Sequence, residues 1–113
     1  MTDREMLELA AKAAGIELGE DRIDCGVSVT DADGRHRNLP QWNPLTDDGD
    51  ALRLAAHLNI DVLQRLTDPA EVWAQAPMLR TVIEPVDGDR LYATRRAIVR
   101  AAAEIGRRQH DTK

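Results

Sequence analysis

Three carboxylates fall within four residues near the middle of the chain, at Asp47, Asp48 and Asp50. Carboxylate oxygens are the ligands that Mg²⁺ and Ca²⁺ prefer, so this cluster is a candidate site for a metal-dependent enzyme. The same residues also suit the beginning of a helix, where Asp side chains accept hydrogen bonds from free backbone N–H groups and offset the helix dipole. Neighbouring side chains on a helix do not point to one spot, so the sequence favours the capping role.

A histidine and the single cysteine are further candidates for chemistry. His57 shares a predicted helix face with Asp50 and Arg53, and a carboxylate–imidazole pair can transfer protons. No nucleophile is placed beside it by spacing, and a histidine in the last turn of a helix is also stabilised by the helix dipole. Cys25 lies on the apolar side of a predicted strand, where a buried and unreactive thiol is expected. The common phosphate-binding, zinc-protease and serine-hydrolase motifs are missing, so the sequence predicts no cofactor and favours a protein that is not an enzyme.

The last predicted helix carries the best candidate for a binding surface. Arg96, Arg100 and Arg107 recur at helical spacing along one ridge, and Arg95 and Arg108 adjoin them. Such a row can neutralise the phosphates of a nucleic acid, and the affinity would then fall with salt. The alternative is an amphipathic helix that docks on an acidic body. The face opposite the ridge is predicted to be apolar and carries Tyr92, Ile98, Ala101, Ala102 and Ile105.

The charge distribution favours the docked helix. Residues 1–89 hold 8 basic against 18 acidic residues, whereas residues 90–113 hold 7 against 2, and the whole chain has a net charge of −5. An acidic chain of this kind is a poor general nucleic-acid coat or membrane-surface protein. A basic helix packed on an acidic body would compensate part of the asymmetry within the molecule.

The length and composition indicate one ordinary globular domain. The chain has 113 residues, of which 42% are apolar and 31% charged, with three aromatic residues and no Phe. We therefore expect a core of Leu, Ile, Val and Ala, with one domain over residues 1–107 and a frayed tail at 108–113. No apolar run approaches the roughly 20 residues that span a bilayer. One cysteine and a charged N-terminus that does not resemble a secretory signal predict a cytoplasmic protein.

Local signals place the elements that would position these residues. Thr2 and Glu5 have the spacing of a capping box, and Gly15 is a left-handed stop, so the first helix lies between them. Alternating and β-branched residues predict strands at 23–30, 60–66 and 78–84, and a short edge strand at 35–39. A second helix follows the Asp cluster, the last helix runs from 90 to about 107, and 71–75 is ambiguous. The order α-β(β)-α-β-β-α predicts an α+β fold with three helices and a mixed or antiparallel sheet of three or four strands.

Two long segments resemble a known family. The residues at 42–55 read Trp-Asn-Pro-Leu-Thr-Asp-Asp-Gly-Asp-Ala-Leu-Arg-Leu-Ala, and those at 93–106 read Ala-Thr-Arg-Arg-Ala-Ile-Val-Arg-Ala-Ala-Ala-Glu-Ile-Gly. Both resemble the hallmarks of the phage ABA sandwich domain family of small phage and prophage proteins, and residues 1–16 are similar to the usual beginning of those chains. The resemblance implies a three-layer α/β/α sandwich and an origin in a phage or prophage. It implies no activity.

The first hallmark also has a structural interpretation. Pro44 would stiffen the approach to the second helix, Trp42 would anchor it on the core, and Asn43, Thr46 and Asp47 would serve turns and caps. The resulting hypothesis is a prophage accessory protein in a bacterial cytoplasm that is not an enzyme and binds a host or phage protein. One variant is an acidic body that imitates nucleic acid. The alternatives are nucleic-acid binding through the arginine row and, less favoured, a metal-dependent enzyme.

Overall fold

A computed structural model describes residues 2–16, 27–30, 36–39 and 42–111 of the chain. Its helices are α1 (Asp3–Ala14), α2 (Asp48–Leu58) and α3 (Arg90–Asp111), and its strands are β1 (Val27–Thr30), β2 (His36–Leu39), β3 (Asp61–Arg65), β4 (Glu71–Gln75) and β5 (Val82–Pro85). The predicted α+β class, with three helices and an antiparallel sheet, is confirmed, and the arrangement is compatible with a small α/β sandwich. Cys25 and the first part of the strand predicted at 23–30 lie outside the described residues.

The ends of α1 are fixed by the residues that the sequence singled out. The backbone N of Glu5 donates to Thr2 Oγ1 at 3.1 Å, and the Thr2 hydroxyl donates to Glu5 Oε1 at 3.2 Å. Gly15 ends the helix with φ 72°, a left-handed conformation that costs glycine little. The backbone N of Ile16 then donates to the Ala11 oxygen at 2.8 Å, which closes the last turn.

The described strands form two antiparallel sheets. One is the β1–β2 hairpin, and the other is a three-stranded sheet in the order β3–β4–β5. The ambiguous segment 71–75 is therefore the central strand, β4. The strand predicted at 78–84 begins only at Val82, because Met78 adopts φ 64° in a turn that the Leu79 N to Ala76 O bond closes at 3.1 Å.

Helix α3 is the element on which the rest of the core is assembled. It contacts α1, α2, β4 and β5. Alternate residues of β4 and β5 point toward the core, so Val72, Ala74, Val82 and Glu84 are buried while their neighbours are not. Buried alanines along α3 allow this close packing, at Ala93, Ala97, Ala101, Ala102 and Ala103.

Helix α3 extends to Asp111, past its predicted end at about residue 107. Gly106 is buried inside the helix, where a Cβ atom would collide with the Leu9 carbonyl oxygen of α1. The glycine thus serves a close helix–helix approach, and the helix continues to Asp111. Residues 108–111 continue the helix. Tyr92, which the sequence places on the buried face, lies in the first turn and is 49% exposed, whereas burial begins at Ala93.

Candidate functional site

The first three arginines of the predicted row are turned toward the body of the protein. Arg95 Nε donates to the Leu45 oxygen at 2.8 Å, and its Nη1 lies 2.6 Å from Asp48 Oδ1. Arg96 and Arg100 both pair with Glu84, whose side chain is only 12% exposed. These guanidinium groups therefore fasten α3 to α2 and β5.

Arg96 has an additional contact across the molecule. Its Nη1 lies 3.2 Å from Asp3 Oδ1 in the first turn of α1. Partial burial acts to lower the pKa of Arg96, but the hydrogen bond to Asp3 and the electrostatic effects of Tyr92, Asp3 and Glu84 outweigh it and raise that pKa above its ordinary value.

The last two arginines of the row have separate partners. Arg107 Nη2 lies 2.8 Å from Glu104 Oε2, one helical turn earlier. Arg108 Nη1 donates to the Met78 oxygen at 2.7 Å, in the turn between β4 and β5. Both side chains are exposed but directed to their own protein. The geometry of all five arginines thus favours a docked helix over a row of cations presented to phosphate.

The three aspartates of the candidate metal site turn to three different partners. Asp47 is the N-cap of α2, where its Oδ2 accepts from the Asp50 N at 2.8 Å. Asp48 pairs with Arg95. Asp50 is 5% exposed and uses both oxygens, with Oδ2 accepting from the Asn43 N at 3.0 Å and Oδ1 from Arg53 Nη2 at 2.8 Å. Within residues 2–16 and 42–109, the structure brings no three His, Cys, Asp or Glu side chains into a group suited to a metal ion.

The other residues of the first hallmark form the approach to α2. Trp42 is 4% exposed and Pro44 is fully buried, so both anchor the loop on the core. Asn43 Oδ1 accepts from the Leu45 N at 3.0 Å, and Thr46 Oγ1 donates to the Asn43 oxygen at 3.3 Å. These contacts agree with the structural role that the sequence suggests. His57 is exposed in the last turn of α2.

An open groove of about 450 Å³ lies between α2, the beginning of β3 and α3. Its floor is apolar and includes Ala55, Ile60 and Ile98, all of which are buried. Leu52 and Leu91 line it from α2 and α3 and are 69% and 58% exposed. Two large apolar side chains thus flank an apolar depression, which is the usual form of a site for an apolar ligand or side chain.

A second exposed apolar feature lies on the three-stranded sheet. The strand register places Leu63 opposite Trp73 and Trp73 opposite Ile83, so the three form one row across the sheet. Leu63 is 49% exposed, Ile83 is 43% exposed and Trp73 is half-buried. Sequence reasoning missed this row. The alternation in 60–66 and 78–84 did place Leu63 and Ile83 on the side of their strands opposite to Val62 and Val82.

No helix in the described part of the chain is long and apolar enough to span a membrane. Comparisons with family models, curated proteins and solved structures give no significant match to this chain.

Proposed function

We propose that this protein is a prophage-derived accessory protein of the bacterial cytoplasm that is not an enzyme and works by binding a host or phage protein. The proposed origin and cellular location rest on the resemblance of residues 42–55 and 93–106 to the phage ABA sandwich domain family. The binding role rests on one observation, the apolar groove between α2, β3 and α3.

The chemistry of the groove specifies the partner. Its lining is mostly apolar, with the exposed leucines Leu52 and Leu91 at its sides, and the charged Asp48 and Arg95 in the lining pair with each other. Asp61, also in the lining, is exposed, and the chain as a whole is acidic. The groove therefore suits a protein segment that inserts apolar side chains and places a lysine or arginine beside Asp61.

Photo-cross-linking from the groove tests this proposal. A photoreactive phenylalanine analogue at position 52 or 91 should capture a specific protein in the bacterium that carries the gene. The same analogue at Leu66, which is 74% exposed in the loop after β3 and outside the groove, is the matched control. Capture of the same proteins from all three positions would contradict the proposal.

The captured protein is then purified and its affinity measured. Leu91→Glu should weaken binding by about a hundredfold, because a charge would replace a desolvated apolar contact, whereas Leu66→Glu should leave the affinity unchanged. Both leucines are mostly exposed, so the variants should fold. Equal affinities for the two variants would overturn the assignment to the groove.

The competing functions are tested directly with the whole protein. Titration of labelled DNA and RNA at two salt concentrations should show no salt-sensitive binding at low micromolar protein, because the arginines of α3 are paired internally. Titration with Mg²⁺, Mn²⁺ and Ca²⁺ should leave the amide resonances of 47–50 unchanged. Binding in the first experiment would support nucleic-acid recognition, and shifts in the second would support the metal site.

A further inference from the structure

The outer face of the three-stranded sheet has the properties of a contact surface. We define the outer face as the side chains of β3, β4 and β5 that point away from α3, together with Thr81 just before β5. Its members are Asp61, Leu63, Arg65, Glu71, Trp73, Gln75, Thr81, Ile83 and Pro85. Its middle row is Leu63, Trp73 and Ile83, which are apolar and accessible. Polar residues lie on both sides of this row along the strands. An apolar centre with a polar rim is the usual composition of a protein interface.

We propose that the outer face binds the outer face of a second copy of this chain. The two sheets would stack about a two-fold axis that runs along the Leu63–Trp73–Ile83 row, perpendicular to the strands. Each residue of the row would then face its own counterpart. This self-association uses a different face from the groove, although Asp61 borders both, and it does not depend on the proposed function.

The charges of the outer face are complementary to those of a second copy that is related by this axis. Asp61 and Arg65 are the two ends of β3, on opposite sides of the apolar row. Rotation about the proposed axis exchanges the two sides, so Asp61 faces Arg65 of the second copy and Arg65 faces its Asp61. The rotation also places Gln75, an amide donor, opposite Glu71 of the second copy. The rim residues of β3 and β4 thus match, whereas Thr81 would face Pro85 without a polar contact.

The other two-fold arrangement lacks this complementarity. An axis parallel to the strands would place β3 over β5 of the second copy. Asp61 would then face Thr81, and Arg65 would face Pro85, so neither charge would meet an opposite charge. Charge matching therefore favours only the axis that lies along the apolar row.

The size of the face indicates a reversible dimer. Three strands about 4.8 Å apart, with five residues at about 3.4 Å each, give a face of roughly 14 by 17 Å. The area of this face, about 240 Å², is smaller than the about 800 Å² that each partner buries in a stable interface. We therefore expect association at high micromolar concentration rather than a permanent dimer.

A charge exchange tests the dimer and its axis together. Within one chain, Asp61 and Arg65 are four residues apart on a strand, about 13 Å, and do not contact each other. Arg65→Glu places two acidic side chains opposite each other at both ends of the interface. It should raise the dimer dissociation constant by about tenfold. Asp61→Arg places two basic side chains opposite each other in the same way and should raise the dissociation constant by a similar factor. The double variant Asp61→Arg with Arg65→Glu restores opposite charges across the interface. It also loses the ion pair of Arg65 with Glu71 of the same chain, so it should restore most of the dimer.

Sedimentation velocity from micromolar to millimolar protein measures the dimer dissociation constant of each variant. Thermal unfolding at low concentration checks that each variant folds. Arg65→Glu does not alter the groove, so binding to a partner captured through Leu52 or Leu91 should persist. A chain that stays monomeric at millimolar concentration would overturn the proposal. So would a dimer that Arg65→Glu does not weaken, or one that the double variant fails to restore.

Discussion

The two faces of the β3–β4–β5 sheet differ in a way that composition alone would not predict. The inner face, packed on α3, uses the small and medium side chains Val72, Ala74 and Val82, together with the carboxylate Glu84. The outer face carries the larger apolar side chains and leaves Leu63 and Ile83 nearly half exposed. The side chains of the inner face must be small, because close packing against the alanines of α3 leaves little room for extra volume. The larger side chains Leu63, Trp73 and Ile83 lie on the outer face, where the proposed second copy would contact them.

The largest expected difference between the faces concerns their glutamates. Glu84→Ala should lower the free energy of unfolding by about 3 kcal/mol, because Arg96 and Arg100 lose a shared partner whose own side chain is largely buried. Glu71→Ala, on the outer face, should cost less than about 1 kcal/mol, since its ion pair with Arg65 is longer and more exposed. Urea unfolding of both variants measures the difference, and equal losses would break the comparison.

A matched pair of threonine substitutions gives the next largest effect. Val72→Thr keeps the shape of a fully buried side chain but buries a hydroxyl, so it should cost about 2 kcal/mol. Ile83→Thr on the outer face should cost about 0.5 kcal/mol or less in the monomer, as exposed substitutions do. The measurement is urea unfolding at low micromolar protein. A cost for Ile83→Thr as large as for Val72→Thr would show that the outer face is part of the core.

The smallest effect is spectroscopic. Trp42 is 4% exposed, whereas Trp73 is half-buried on the outer face. Acrylamide should therefore quench mainly Trp73, and Trp73→Phe should remove most of the quenchable emission at micromolar concentration. At millimolar concentration the wild type should become harder to quench, because the second copy covers Trp73. Quenching that does not change with concentration would argue against coverage of this residue.

The parts of the structure that depend on neighbouring residues were predictable from the sequence. Thr2, Glu5 and Gly15 fix the ends of α1, and Asp47 caps α2, because capping uses side chains within one turn. The charge asymmetry also favoured a docked α3, and the paired arginines agree with it. The sequence favoured a capping role for the aspartates at the start of α2, and in the structure Asp47 caps the helix while Asp48 and Asp50 pair with arginines.

The parts that depend on distant residues were not predictable. The segment 71–75 contains Glu and Ala beside Val and Trp, so its local preference was weak, and only pairing with β3 and β5 makes it the central strand. The reason for Gly106 is also distant, since the backbone of Leu9, which packs against it, lies almost a hundred residues earlier in the chain. The apolar row joins Leu63, Trp73 and Ile83, and its existence depends on the register of three strands.

Cross-linking between single cysteines tests the outer-face dimer most directly. In a Cys25→Ala background, Leu63→Cys and Ile83→Cys are prepared separately and treated with a short bismaleimide that bridges the about 10 Å between stacked sheets. Each variant alone should give a cross-linked dimer, because both positions lie on the two-fold axis. A mixture of the two, one carrying a size tag, should give very little mixed dimer cross-linked between positions 63 and 83. Efficient cross-linking between 63 and 83, or none at either position at millimolar protein, would contradict the proposed pairing.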